Sequence, residues 1–189
     1  MTTEPQFAVE LRGVTHRYKR TLAHLFTPDG DNLQAKLLRQ GMATAIPHPP
    51  NLAYTECYSQ QELSARCAGA GIWSNSGQLV VRASTLNNKH KGFYLVSGTI
   101  RQIRLSDRGI RIFMGKLMLG IHSDNLADFD KADLLDLRGK HVTARGWLQP
   151  IRHHQTNGES LDDYPVESYM RIRHPSAIEI NQPDSRTKC

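Results

Sequence analysis

Between residues 110 and 121 the chain alternates without a slip: Ile110, Ile112 and Met114 fall on one parity, Gly115-Lys116 intervenes, and Leu117, Leu119 and Ile121 resume the pattern. A period of two puts all six apolar side chains on one face of an antiparallel ribbon. A ribbon with one apolar face needs further sheet or a helix to cover it. The second half of the chain must therefore be built around β-structure, with the elements flanking residues 110–121 closing over that face.

Those flanking elements can be read off the sequence. Residues 93–105 form one long strand whose apolar phase shifts near Arg101-Gln102, which predicts a bulge or a sharp bend. Asp107-Arg108-Gly109 turns the chain into the ribbon. Residues 125–137 follow as an acidic helix, 140–148 as a fourth strand and 169–180 as the last, interrupted by Pro175. Three strands, a helix and two strands is the order of the OB fold, a small, partly open barrel often used on single-stranded nucleic acids.

Alternation also predicts a surface. If Ile110, Ile112, Met114, Leu117, Leu119, Ile121, Val142, Ala144, Leu148, Met170 and Ile172 point inward, then Arg111, Phe113, Arg145, Trp147, Tyr169, Arg171 and Arg173 point outward. Guanidinium groups interleaved with rings suit a single strand, whose bases stack for roughly 1–3 kcal/mol each while arginine neutralises phosphate. The rival reading buries Phe113 and Trp147 against the first half of the chain and leaves the arginines merely solvated.

Charge is consistent with either reading. Lys and Arg number 24 against 18 Asp and Glu, and the excess is uneven: residues 89–122 hold seven basic residues and one acid, whereas 124–136 hold five acids and one lysine. A modest basic excess suits phosphate-rich partners but is common on soluble proteins. No apolar run approaches the roughly 18 residues that span a bilayer, and residues 1–13 lack the pattern of an export signal. The expectation is a chain without a membrane partner, cytoplasmic by default. Cys57 and Cys67 lie ten residues apart on one helix, about 15 Å, too far to bridge each other. With Cys189 at the end of the chain, free thiols are expected, and no zinc spacing occurs. His153-His154 and Asp162-Asp163 lie in a polar loop, 149–168, without the spacing of a metal site.

In the first half, 7–11 and 21–26 alternate as an antiparallel pair, and Pro28-Asp29-Gly30 supplies a turn. Asp31 or Asn32 caps a helix running through Gln40, with Leu33, Leu37 and Leu38 on one face and Gly41 at its end. A second helix covers 52–68 and stops at Gly69-Ala70-Gly71. Three landmarks stand out: Tyr18-Lys19-Arg20-Thr21-Leu22-Ala23, then Asn32-Leu33, Leu37-Leu38 and Gly41-Met42-Ala43, then Ala70-Gly71-Ile72-Trp73-Ser74. In that order and spacing they resemble the C-terminal half of the staphylococcal-nuclease-like, or thermonuclease, domain. The second half is similar to the OB-like extension that follows the nuclease domain in some members.

The resemblance implies an α+β architecture: a partial staphylococcal-nuclease-like, OB-type region with two helices in 1–75, then a five-stranded OB-like barrel with one helix in 92–182. Between them Ser76-Gly77 and Asn87-Asn88 mark a linker in 76–91 with room for a short strand at Leu79–Arg82, and 183–189 is read as a tail. It also implies that Arg20 matches the arginine that donates to the scissile phosphate. His16 stands where the family has Asp in that segment, and Lys19 where it has Gly. The family's metal-binding carboxylates, water-activating glutamate and second arginine belong to strands and a helix upstream of the matched part. Asp29-Gly30-Asp31, which looks like a metal-site triplet, falls in a turn and is read as turn and cap chemistry. No metal site is identifiable, and Ca2+ is expected only if a complete family site is reconstituted.

The expected function is therefore nucleic-acid binding, single-stranded in preference, by a thermonuclease-derived chain that has lost phosphodiester hydrolysis. One alternative is an active calcium-dependent nuclease completed by another segment. Another is a protein-interaction module whose first barrel is covered by a protein partner, since two strands and two helices leave edges and an apolar face to be covered.

Overall fold

The computed structural model describes residues 8–10, 23–75, 80–151 and 165–181. The chain divides into two compact units, Met1–Ala45 with Pro50–Ser76, and Ile46–Pro49 with Gly77–Cys189.

In the first unit β1 (Ala8–Glu10) and β2 (His24–Phe26) pair antiparallel, Val9 opposite Leu25. The Asp29-Gly30-Asp31 segment is a turn: Gly30 N–H donates to the Thr27 carbonyl, Thr27 N–H to the Asp31 carbonyl, and Gly30 sits at φ 88°. Helix α1 (Leu33–Arg39) is capped by Asn32, whose Oδ1 accepts from Ala35 N–H at 3.0 Å. Helix α2 (Thr55–Cys67) begins three residues later than its apolar pattern suggests. Only Leu38 of the expected α1 stripe is fully buried, and Leu37 is exposed.

The two helices are joined by backbone as much as by side chains. Ile72 N–H donates to the Gly41 carbonyl at 2.9 Å. A Cβ on Gly41 would lie 2.1 Å from the Ala70 oxygen, and one on Gly71 would lie 2.3 Å from the Gly41 oxygen. Both positions also have positive φ, so only glycine fits the crossing. Glu62, buried in α2, accepts the Ala45 N–H and ties down the segment leaving the crossing. His24 Nδ1 lies 2.6 Å from the Tyr58 hydroxyl, which also contacts Asn32, so β2 is seated on α2 through one polar knot. Cys57 is a free thiol.

The second unit is a barrel. Its strands are β3 (Val80–Arg82), β4 (Gly92–Thr99), β5 (Gln102–Ser106), β6 (Gly109–Met114), β7 (Leu117–His122), β8 (His141–Pro150), β9 (Ser168–Arg171) and β10 (Ile178–Ile180). The hydrogen-bonded order is β3-β4-β8-β9-β7-β6-β5, with β10 beside β8. Because β4 and β5 are two halves of one bent strand, the order from β4 to β5 returns to its start. Counting that strand once leaves five barrel strands with a parallel β7–β9 pair, which is OB topology. At the bend, Ile100 N–H donates to the Lys140 carbonyl while Arg101 N–H donates to the Phe113 carbonyl.

All eleven residues expected to point inward are buried in one cluster. The acidic helix is shorter than expected: a 3₁₀ turn spans Ser123–Asp128 and α3 covers Lys131–Asp136. Extended Phe129 separates them, and the Asp130 carboxylate caps α3 by accepting from Ala132 and Asp133 N–H. The short strand expected at 79–82 is β3, parallel to β4, and the segment does more than connect, because it also buries Ala83 and Leu86 in the barrel cluster. Leu86→Ala should therefore lower unfolding stability by about 2–5 kcal/mol in a urea titration. A change under about 0.5 kcal/mol, typical of exposed positions, would return the segment to a linker.

Candidate nucleic-acid interface

The outer face of the barrel is organised by register. Arg104 of β5 lies opposite Arg111 of β6, Arg111 opposite Gly120 of β7, and Gly120 opposite Arg171 of β9. On the far side Phe93 of β4 lies opposite Trp147 of β8. Trp147 and Arg171 each come one step beyond the last bonded pair between their strands, Leu148 with Met170. Since Leu148 and Met170 both point into the core, Trp147 and Arg171 both point out. Phe93, Trp147, Arg171, Gly120, Arg111 and Arg104 thus make one row across six strands, about 24 Å at the usual strand spacing.

Four side chains of the row, Phe93, Trp147, Arg171 and Arg104, are each held by a neighbour. The rings of Phe93 and Trp147 meet edge to face with centroids 5.2 Å apart, and Trp147 is 55% exposed. Arg171 Nη2 donates to Asn125 Oδ1 at 3.3 Å and stands 4.0 Å from the Asp124 carboxylate. Arg104 stacks its guanidinium over the Phe113 ring, 5.2 Å from the centroid. Tyr169 leans across β7 at Gly120, where a Cβ would come within 2.5 Å of its ring. Burial pushes the Tyr169 phenol above its ordinary value, and the charges of Arg171, Arg111 and Arg173 pull the other way.

The sequence-based surface is thus only partly reproduced. Arg111, Trp147, Tyr169 and Arg171 come together on the outer face. Phe113 has the outward parity but is completely buried, with Arg104 over its ring, so it is support for the row and not a stacking platform. Arg145 is also buried, ion-paired to Glu179 of β10 and opposite Leu95, because β10 and β3 flank that part of the sheet. Arg173 is half-buried and donates to His48 Nε2 at 3.0 Å within the same unit. Phe93 and Arg104 also belong to the row; the phase shift at Arg101-Gln102 masks, in the sequence, which of their neighbours share a face.

Arg20, His16, Lys19, His153, His154, Asp162 and Asp163 lie outside the described residues. Among the described residues no group of three or more His, Cys, Asp or Glu side chains could hold a metal ion, and no helix is long and apolar enough to cross a membrane.

Two outcomes follow from these placements. Phe113→Ala should cost about 3–5 kcal/mol of stability, and Arg145→Ala about 1–3 kcal/mol through loss of the ion pair its buried guanidinium makes, whereas Trp147→Ala should change it by under about 1 kcal/mol; chemical denaturation of the three variants checks this ranking. Because Tyr169 releases its proton at higher pH folded than unfolded, its contribution to stability is complete below the ordinary value of 10.0 and is lost as pH rises through the folded value. Tyr169→Phe should remove the upper limb of the alkaline tyrosinate titration and flatten the fall of stability above about pH 10. An unchanged upper limb would contradict the burial of this phenol.

No curated protein matches the chain. Among solved structures, OBody AM2EP06 bound to hen egg-white lysozyme is similar at 11% identity, over 53% of this chain and 90% of that chain, with a TM-score of 0.35; the barrel's assignment rests on its strand order instead. Residues 3–75 match the family model described as Staphylococcal nuclease homologue, so the first unit carries a staphylococcal-nuclease-like region.

Proposed function

We propose that the chain binds single-stranded nucleic acid along the outer row of the barrel and does not itself hydrolyse it. The observation that carries this reading is the register that brings Arg104, Arg111 and Arg171 into line with the exposed Trp147. A base can stack on Trp147 while successive phosphates meet guanidinium groups already oriented by Phe113 and Asn125. Groups held in place before binding lose less freedom on complex formation. Loss of hydrolysis is supported by the arginine segment itself, where His16 and Lys19 replace the family's Asp and Gly beside Arg20. In this reading the first unit and the barrel, with β3 included, act as separate domains, the second as the binding module.

Fluorescence anisotropy of a labelled oligothymidylate of about 12 nucleotides, within the range an OB barrel covers, tests the proposal. With three arginines on phosphate, log K should fall with log salt at a slope of about −2, and Arg111→Ala should reduce the slope by about 0.7. Trp147→Ala should weaken binding without unfolding the chain. No association at low salt, or affinity unchanged in both variants, would overturn the surface. Calcium-dependent cleavage that disappears in Arg20→Ala would instead support a nuclease completed by another segment. Salt-insensitive association would support a protein-interaction module.

A further inference from the structure

Arg171 stands at the junction of the aromatic and cationic parts of the row, and its guanidinium already has a carboxylate beside it. Asp124 Oδ2 is 4.0 Å from Arg171 Nη2 and 3.0 Å from His122 Nδ1, while the next residue, Asn125, accepts from the same guanidinium nitrogen. The His122 ring nitrogen in turn faces the Asp124 backbone N–H at 3.4 Å, which holds the start of the 3₁₀ turn against the end of β7. Asp124 and Arg171 are both open to solvent, at 71% and 40%. An ion pair that exposed adds little to stability. Its effect falls on whatever anion approaches Arg171.

We infer that Asp124 is an intramolecular competitor for Arg171 that limits the affinity of the row for nucleic-acid phosphate; this rests on the single-strand reading above. A phosphate arriving at Arg171 must displace the carboxylate or bind within its repulsive field. A strand spanning the row offsets that loss through Arg111, Arg104 and Trp147, whereas a ligand confined to Arg171 cannot. Asn125 plays the opposite part: a neutral acceptor orients the guanidinium without neutralising it. Asp124 is thus a selectivity-determining residue, favouring strands long enough to reach several arginines over short or isolated phosphates.

The test is Asp124→Asn in the full chain, titrated against the same labelled oligothymidylate at low and high salt. The variant should bind about 3–10-fold more tightly at low salt and converge on the parent as the Debye length shrinks to about 3 Å near 1 M. In an Arg171→Ala background the same substitution should have less than a twofold effect, because the coupling is pairwise. Unchanged or weaker binding by Asp124→Asn would overturn the inference, the latter by making Asp124 a positioning residue for Arg171. An equal gain in the Arg171→Ala background would also overturn it, leaving only a general effect of net charge. Failure of the parent chain to bind at any salt would count against the single-strand reading itself and is read from the parent titration alone.

Discussion

The barrel depends on a reversal between two consecutive backbone amides. Ile100 N–H donates towards the segment entering β8, and Arg101 N–H donates towards β6, so the long first strand changes partners within one residue. Without that bend a single strand could not both begin and end the sheet, and each end would expose a row of unpaired peptide groups. Gly139 N–H returns a bond to the Ile100 carbonyl, pinning the bend from the side of α3. Neighbouring elements share this need for close fit: Gly98 of β4 leaves the space that Met114 fills, and Gly146 of β8 does the same for Met170.

Closure also makes the surface. Phe93 and Arg104 are eleven residues apart on the same bent strand, yet they stand at opposite ends of the row because the sheet wraps between them. The row is therefore a property of the closed barrel. An extended hairpin of the same sequence would keep Arg104 beside Arg111 but would lose the step from Trp147 to Arg171. The neighbours that orient two of the arginines come from different elements as well: Phe113 from β6 and Asn125 from the 3₁₀ turn.

Much of this was legible in the sequence, and what was not has a physical cause. Period-two alternation identified all eleven inward side chains, because the inside of a small barrel has a single environment. The outside has several. Phe113 and Arg145 have the same parity as Arg111 and Trp147, but Arg104 lies over one and β10 carries the ion-pair partner of the other. Parity reports which face a side chain takes and says nothing of what lies upon that face. In segment 76–91 the short strand is legible, but the burial of Ala83 and Leu86 is not, because they belong to no periodic run; they are buried by where the chain passes, beside β4 and the β6–β7 turn. The helix expected over 125–137 is interrupted because Asp130 offers its carboxylate to the backbone, a local competition that apolar spacing does not register. In the first unit, by contrast, the landmarks were informative because two of them, at Gly41 and Gly71, touch through bare backbone.

The two tryptophans occupy opposite environments, one in each unit. Trp73 is 4% exposed beneath the Arg66 guanidinium, and Trp147 is 55% exposed on the barrel. Indole emission shifts with the polarity around the ring, so the natural chain carries two intrinsic fluorophores of different colour. Loss of the buried emitter reports on the staphylococcal-nuclease-like region and quenching of the exposed one reports on the barrel surface. The melting of one unit and the occupancy of the other can thus be followed in the same unlabelled sample.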